Sequence, residues 1–253
     1  MLRIAGKTRF ILLIGCLLLA AGVLLHDDGR EKPFLAFGEG RRLPIYCVDT
    51  KEKKVAISFD AAWGNEQTRG ILDILDRYDV KATFFLVDFW AEKYPDDVAE
   101  IWNRGHDIGN HSSTHPDMAH LSAEQIRTEL SEAAKRIQEI TGHQTVLFRP
   151  PFGAYSNNLI QTCESMGYHV IQWDVDSLDW KQISPELIVE RVTRNVGPGS
   201  IVLFHNNAEH VLEYLPPVIE KLQADGYQFV LIRDLIYTDD YHMDHAGKQV
   251  KGL

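Results

Sequence analysis

Two histidines, His111 and His115, stand four residues apart with Ser-Ser-Thr between them. On a helical turn that spacing brings two imidazoles onto one divalent metal ion. A stray pair on a polar loop looks the same, so the pair alone decides nothing. Its company does. Asp60 directly follows the apolar run 55–59, and Arg149 follows 146–148. Asp174, Asp176 and Asp179 follow 170–173, and His205 follows 201–204. Each has a plainer reading by itself. Asp60 could cap a helix, His205 could be a core histidine, Arg149-Pro150-Pro151-Phe152-Gly153 a stiff turn, and Asp179-Trp180 a surface turn beside a buried indole. Together they gather metal-ligating, acid–base and cationic groups at the ends of successive apolar runs. Reactive groups collect at the C-terminal strand ends of parallel α/β folds.

The elements that must position these groups follow from the hydrophobic pattern. Candidate strands cover 44–48, 55–59, 82–87, 107–110, 146–148, 170–173, 201–204 and 228–232. Several are almost wholly apolar, as strands buried on both faces are. Helical patterns separate them, over 67–78, 122–141, after Ser156, after Ser184-Pro185, and over 216–225. The clearest is 122–141. Ser122 and Gln125 form a capping box, Ile126, Leu130, Ala133, Ile137 and Ile140 make one stripe, and Gly142 stops it. Alternating strands and helices predict an α/β fold with parallel strands.

The chain has 253 residues, 45% hydrophobic and 25% charged, with 26 Lys+Arg against 36 Asp+Glu and a net charge of −10. This composition excludes a mainly disordered chain, a collagen-like repeat and a multi-span membrane protein. The acidic balance argues against nucleic acid as a partner. Arg3, Lys7 and Arg9 precede an uncharged apolar run, 10–25. We read residues 1–26 as an N-terminal apolar helix anchoring the chain in the membrane, with a cleaved export signal as the alternative. Cys16 in Leu-Ile-Gly-Cys looks like a lipoprotein acceptor, but the apolar run continues past it. The remainder would lie outside the cytoplasm. Cys47 and Cys163 read as two separate buried thiols. Residues 27–43 read as a linker, 44–237 as one domain, and 238–253 as a polar, frayed tail.

Taken in order, the motifs resemble those of the polysaccharide deacetylase family, the NodB-homology domain of carbohydrate esterase family four. Ser58-Phe59-Asp60 is similar to its first motif and Lys81-Ala82-Thr83-Phe84-Phe85 to the strand after it. Gly105-His106-Asp107-Ile108-Gly109-Asn110-His111-Ser112 through His115 resembles the second. Arg149-Pro150-Pro151-Phe152-Gly153 resembles the third, Asp176-Ser177-Leu178-Asp179-Trp180 the fourth, and Leu203-Phe204-His205 the fifth. The resemblance implies a distorted (β/α) barrel with a metal site at its rim. It implies that His111 and His115 hold a divalent metal, most often Zn²⁺, and that Asp60 is the general base, paired with Arg149. It makes His205 the general acid and Asp179 its orienting partner. The Phe152 N–H would stabilise the oxyanion, and Phe152, Trp180 and Leu203 would line the substrate groove.

The chain departs from the family at Ala61, where a metal-ligating aspartate is expected, and at Ala62-Trp63, where Gly-Pro is common. Glu66 is the nearest carboxylate that could substitute. The Phe-Asp-x-x-Trp-Gly form, with an N-terminal anchor, resembles the sporulation-type branch, which implies peptidoglycan of a spore-forming bacterium as the N-acetylated glycan. Three functions remain open: an N-deacetylase of a cell-wall polymer, a glycan-binding pseudoenzyme that has lost its chemistry through Ala61, and a hydrolase of a small non-sugar amide.

Overall fold

The computed structural model describes residues 40–252. The apolar run 10–25, and with it the expected membrane anchor and most of the linker, lie outside the described residues. Among the described residues no helix is long and apolar enough to cross a membrane.

The centre of the sheet is β2 (Lys54–Ala61), flanked in parallel by β8 (Ser200–His205) and β3 (Thr83–Leu86). From β3 the sheet continues in parallel through β4 (Asp107–Asn110), β5 (Leu147–Phe148) and β6 (His169–Val170). Beyond β6, Ile171 bridges Ile45, just before β1 (Cys47–Val48), and β1 pairs antiparallel with β8. The ring of pairings therefore returns on itself, as a distorted barrel requires. Two short strands join its edges, β7 (Val175–Asp176) on β8 and β9 (Gln228–Phe229) on β2.

Alternation along β2 divides its side chains between two apolar regions. Val55, Ile57, Phe59 and Ala61 join one cluster with Leu72 and Leu75 of helix α1 (Thr68–Arg77) and with Tyr214, Leu215 and Val218 of α7 (Val211–Ala224). Ala56 joins Phe85, Leu147, Ile171 and Ile201 in another. Asp60 shares the parity of Ala56, so the apolar packing that seats β2 also fixes which way its carboxylate points.

The remaining helices are α2 (Asp88–Lys93), α3 (Pro95–Asn103), α4 (Ala123–Thr141), α5 (Asn157–Ser165), α6 (Pro185–Asn195) and the short α8 (Ile232–Leu235). Both halves of the Ser122–Gln125 capping box form, and Gly142 ends α4 with φ 72°. Ser156 and Ser184 cap α5 and α6 through the N–H groups of Leu159 and Leu187. Helices α2 and α3 were not expected from the periodicity. Helix α7 begins five residues before the expected 216 and runs through Pro216 and Pro217. Burial of Tyr214, Leu215, Val218, Ile219 and Leu222 outweighs the helical donors those prolines remove.

The tail is not frayed. Strands β10 (Tyr241–Met243) and β11 (Lys248–Lys251) form a hairpin, and β11 extends the sheet beside β1 in parallel. A polar residue ties it down: the buried Gln249 side chain accepts from the Tyr237 N–H (2.7 Å) and donates to the Tyr237 carbonyl (2.6 Å). Such an amide satisfies backbone groups as another strand would, and hydropathy does not register it. Cys47 and Cys163 are both free thiols.

Candidate active site

Sheet register assembles the site. Asp60 and His205 are direct partners across β2 and β8, and Asn110 and Phe148 across β4 and β5. The residues that follow the second pair, His111 and Arg149, thus leave the sheet side by side.

Arg149 is fully buried. Its Nη1 donates to Asp60 Oδ1 at 2.7 Å and its Nη2 to the Gln172 carbonyl at 3.2 Å. Its guanidinium lies 4.1 Å from the Phe85 ring centroid and 5.5 Å from that of Trp173. Burial favours the neutral acid of Asp60. The charges of Arg149, His111 and His205 and the Arg149 hydrogen bond outweigh it, and hold the carboxyl below the usual Asp pKa. The structure thus keeps an ionised carboxylate at the floor of the site.

His111 Nδ1 lies 2.7 Å from the Arg149 carbonyl, which accepts only, so Nδ1 carries the proton. Burial pushes its pKa down, leaving a neutral ring with the Nε2 lone pair free, 3.5 Å from Asp60 Oδ2. Burial likewise lowers the pKa of His115 to about 4. The His115 ring is packed edge-on against His111, Trp63 and Phe152, with centroids 5.0, 5.0 and 4.7 Å away. The loop carrying both histidines is fixed from α4. Glu129 accepts from the N–H groups of Ser113 and Thr114 and from the Thr114 hydroxyl, at 2.7–2.9 Å.

Across the cleft, His205 Nδ1–H donates to Asp179 Oδ1 at 2.7 Å, which turns Nε2 outward. Asp179 Oδ2 accepts from the His205 backbone N–H (2.8 Å) and from the Tyr214 hydroxyl (2.7 Å). Burial works against the imidazolium, yet the hydrogen bond and charge of Asp179, with help from Asp60 and Asp176, carry the His205 pKa above the ordinary imidazole value. Five non-glycine residues with φ between 54° and 73° lie in the surrounding loops: Ser112, His115, Phe152, Leu178 and Gln182. Backbone strain of this kind clusters where a fold holds functional groups in place.

The cleft has a volume of about 610 Å³. Asp60, His111, His115, Phe152, Asp179, Trp180, Leu203 and His205, all singled out in the sequence, line it; Arg149 lies beneath. Asp176 lines it too, but Asp174 does not: its carboxylate is taken up by Ser200 Oγ and the Ile201 N–H. Glu66 accepts from the Asn65 N–H, away from the cleft. Trp173 and Tyr214 were missed as contributors, and Trp63 was noted only as a departure from the family's motif. Tyr214 lies on the buried stripe of a helix, where nothing in the pattern separates it from core.

The donor set has a bearing on metal binding. His111 and His115 are neutral nitrogen donors, the state a divalent cation needs. Among the described residues, however, no three His, Cys, Asp or Glu side chains come together to hold a metal ion. Position 61, next to Asp60, is an alanine, fully buried on the cluster side of β2 and outside the cleft lining. The set does not fit the three protein ligands that a catalytic zinc takes.

A family profile for polysaccharide deacetylases matches residues 48–171. A peptidoglycan-N-acetylglucosamine deacetylase of Bacillus cereus is 33% identical over 189 residues, 73% of this chain and 69% of that protein. The peptidoglycan-N-acetylmuramic acid deacetylase PdaA of Bacillus subtilis is 32% identical over 203 residues, 79% of this chain and 77% of that protein. Among solved structures, a CE4 family pseudoenzyme of Bacillus anthracis superposes with a TM-score of 0.74 at 33% identity, covering 83% of this chain and 73% of its own. With its curled parallel sheet and the site at its strand ends, the chain belongs to the polysaccharide deacetylase family, a family of hydrolases of carbon–nitrogen amide bonds that also includes the pseudoenzyme above.

Proposed function

We propose that this chain removes acetyl groups from N-acetylated amino sugars of peptidoglycan. The observation that carries this reading is the pairing of Asp60 with His205 across adjacent strand ends, one held ionised and the other with a raised pKa, both facing one cleft. An amide needs both: a base for the attacking water and an acid for the departing amine. Asp60 takes a proton from water as the water oxygen bonds to the acetamide carbonyl carbon. His205 Nε2–H then protonates the sugar nitrogen as the carbon–nitrogen bond breaks. The products are acetate and a free amino sugar; Asp60 afterwards releases its proton, and His205 regains one from solvent. Asp179 and Tyr214 keep Nε2 facing the cleft, and Arg149 keeps Asp60 ionised and directed.

Ala61 supports a second reading, a glycan-binding relative without turnover. The two are separated by supplying the full chain with purified peptidoglycan across several divalent metals, and measuring acetate release and bound metal. Release that disappears in Asp60→Asn supports the deacetylase. No acetate under any metal, with saturable glycan binding retained in Asp60→Asn, establishes the second reading instead. The basic–apolar pattern of residues 1–26 supports a site of action outside the cytoplasm, and the Phe59-Asp60-x-x-Trp63-Gly64 form supports a role in sporulation.

A further inference from the structure

We propose that Trp63 is the platform on which the glycan lies, a sugar-stacking residue that this chain has in addition to the groove residues its motifs imply. The proposal rests on the glycan reading above and gives that site a specificity determinant. Trp63 lines the cleft three residues after Asp60, and its residue is 57% exposed. A large apolar side chain can be exposed because its loop is loosely held, but this loop is not. The Gly64 carbonyl accepts from Trp90 Nε1 at 2.6 Å and from Asn206 Nδ2 at 2.9 Å, and Trp90 and Asn206 are themselves buried. Asn206 also donates its backbone N–H to the Asp60 carbonyl at 3.1 Å. Gly64 has φ +62°, a left-handed conformation that glycine takes without strain, so the turn that presents the indole is specified by its sequence.

The backbone that carries the indole is thus tied to the strand of the base and the loop after the acid, and the indole meets the His115 ring edge-on. Phe152, 70% exposed, packs edge-on against the same His115 ring, so Trp63, His115 and Phe152 make one connected aromatic group in the cleft. A β-linked N-acetylglucosamine unit carries its substituents equatorially, so its ring presents faces of axial C–H bonds. Those faces seat on an aromatic plane, while the acetamide at the ring edge remains free to reach Asp60 and His205. Exposed aromatic surface beside a few convergent polar groups is the common form of a ligand cleft.

The test is a fluorescence titration of the full chain with N-acetylchitotetraose, comparing wild type with Trp63→Ala and Trp63→Leu. Leucine keeps apolar contact with His115 but has no flat π face, so it separates stacking from support of the loop. Both variants are expected to bind about tenfold more weakly or worse. Wild-type binding with Trp63→Leu within about twofold of it overturns the assignment of Trp63 and leaves the glycan reading standing. Failure of the wild type to bind this oligosaccharide or peptidoglycan overturns both.

Discussion

Ala61 is the residue on which this site's chemistry turns. It is fully buried, its Cα paired with Leu86, next in the chain to a carboxylate that is itself held by Arg149. A carboxylate at 61 has two fates. It can turn toward the free nitrogens of His111 and His115 and complete a three-donor set, or stay buried as an uncompensated charge. Ala61→Asp is therefore expected to lower the thermal midpoint in chelator and raise it in zinc, because binding to the folded state alone stabilises it. Zinc affinity, read by competition with a chromogenic chelator, should rise about tenfold or more. A variant that binds zinc no better than wild type shows that position 61 is not where the missing ligand belongs. Sequence reasoning reached this position, and most of the cleft lining, because acid, base and imidazole types are rare enough at strand ends to be noticed together. It did not reach Tyr214, and it marked Trp63 only as a departure from the family pattern, because these residue types are ordinary core and surface residues until the fold is known.

Elements were legible where burial and periodicity coincide. Strands β2, β3 and β8 are largely apolar on both faces, and α4 carries an unbroken stripe with both caps. Helices α2 and α3 are short, and their amphipathic signal does not extend over enough turns to stand out. The β10–β11 hairpin depends on Gln249, a polar residue used as a backbone substitute. Ring closure was expected only through the family resemblance and not from periodicity, since it depends on contacts between residues far apart in the chain. One glycine is central to that closure. Gly199 enters β8 with φ +83°, and its carbonyl accepts from the Val48 N–H at 3.0 Å. A Cβ there would lie 1.9 Å from the Val48 carbonyl oxygen, a backbone atom that cannot move without parting β1 from β8. Gly199→Ala should cost about 3 kcal/mol or more of unfolding free energy, the strain of positive φ adding to the collision. Urea unfolding measures it. A loss below about 1 kcal/mol would mean that β1 can leave the ring without consequence for the rest of the sheet.

At the scale of the whole molecule, the distribution of histidines sets how the fold responds to acid. Burial lowers the pKa of His106 and His115 to about 4, and also lowers those of His111, His143 and His169. His205, through Asp179, and His210, through Glu213, are raised instead. Each lowered group takes up a proton more readily in the unfolded chain, where its pKa is about 6.5. Its contribution to stability therefore falls as pH drops through that value and continues to fall toward its folded pKa. The raised groups act oppositely: their stabilisation is present below about 6.5 and is lost as pH rises through their folded pKa. Five lowered groups against two raised, with His210 at the surface, leave a net proton uptake on unfolding. Asp107 and Asp174, raised by burial, oppose it only nearer the carboxylate range. The urea midpoint, measured in chelator so that no metal holds His111 and His115, should thus fall steadily from about pH 7.5 to about pH 5.5. A midpoint that stays level or rises over that interval would mean that the folded protein takes up those protons itself, and that its buried imidazoles are not held neutral as their surroundings require.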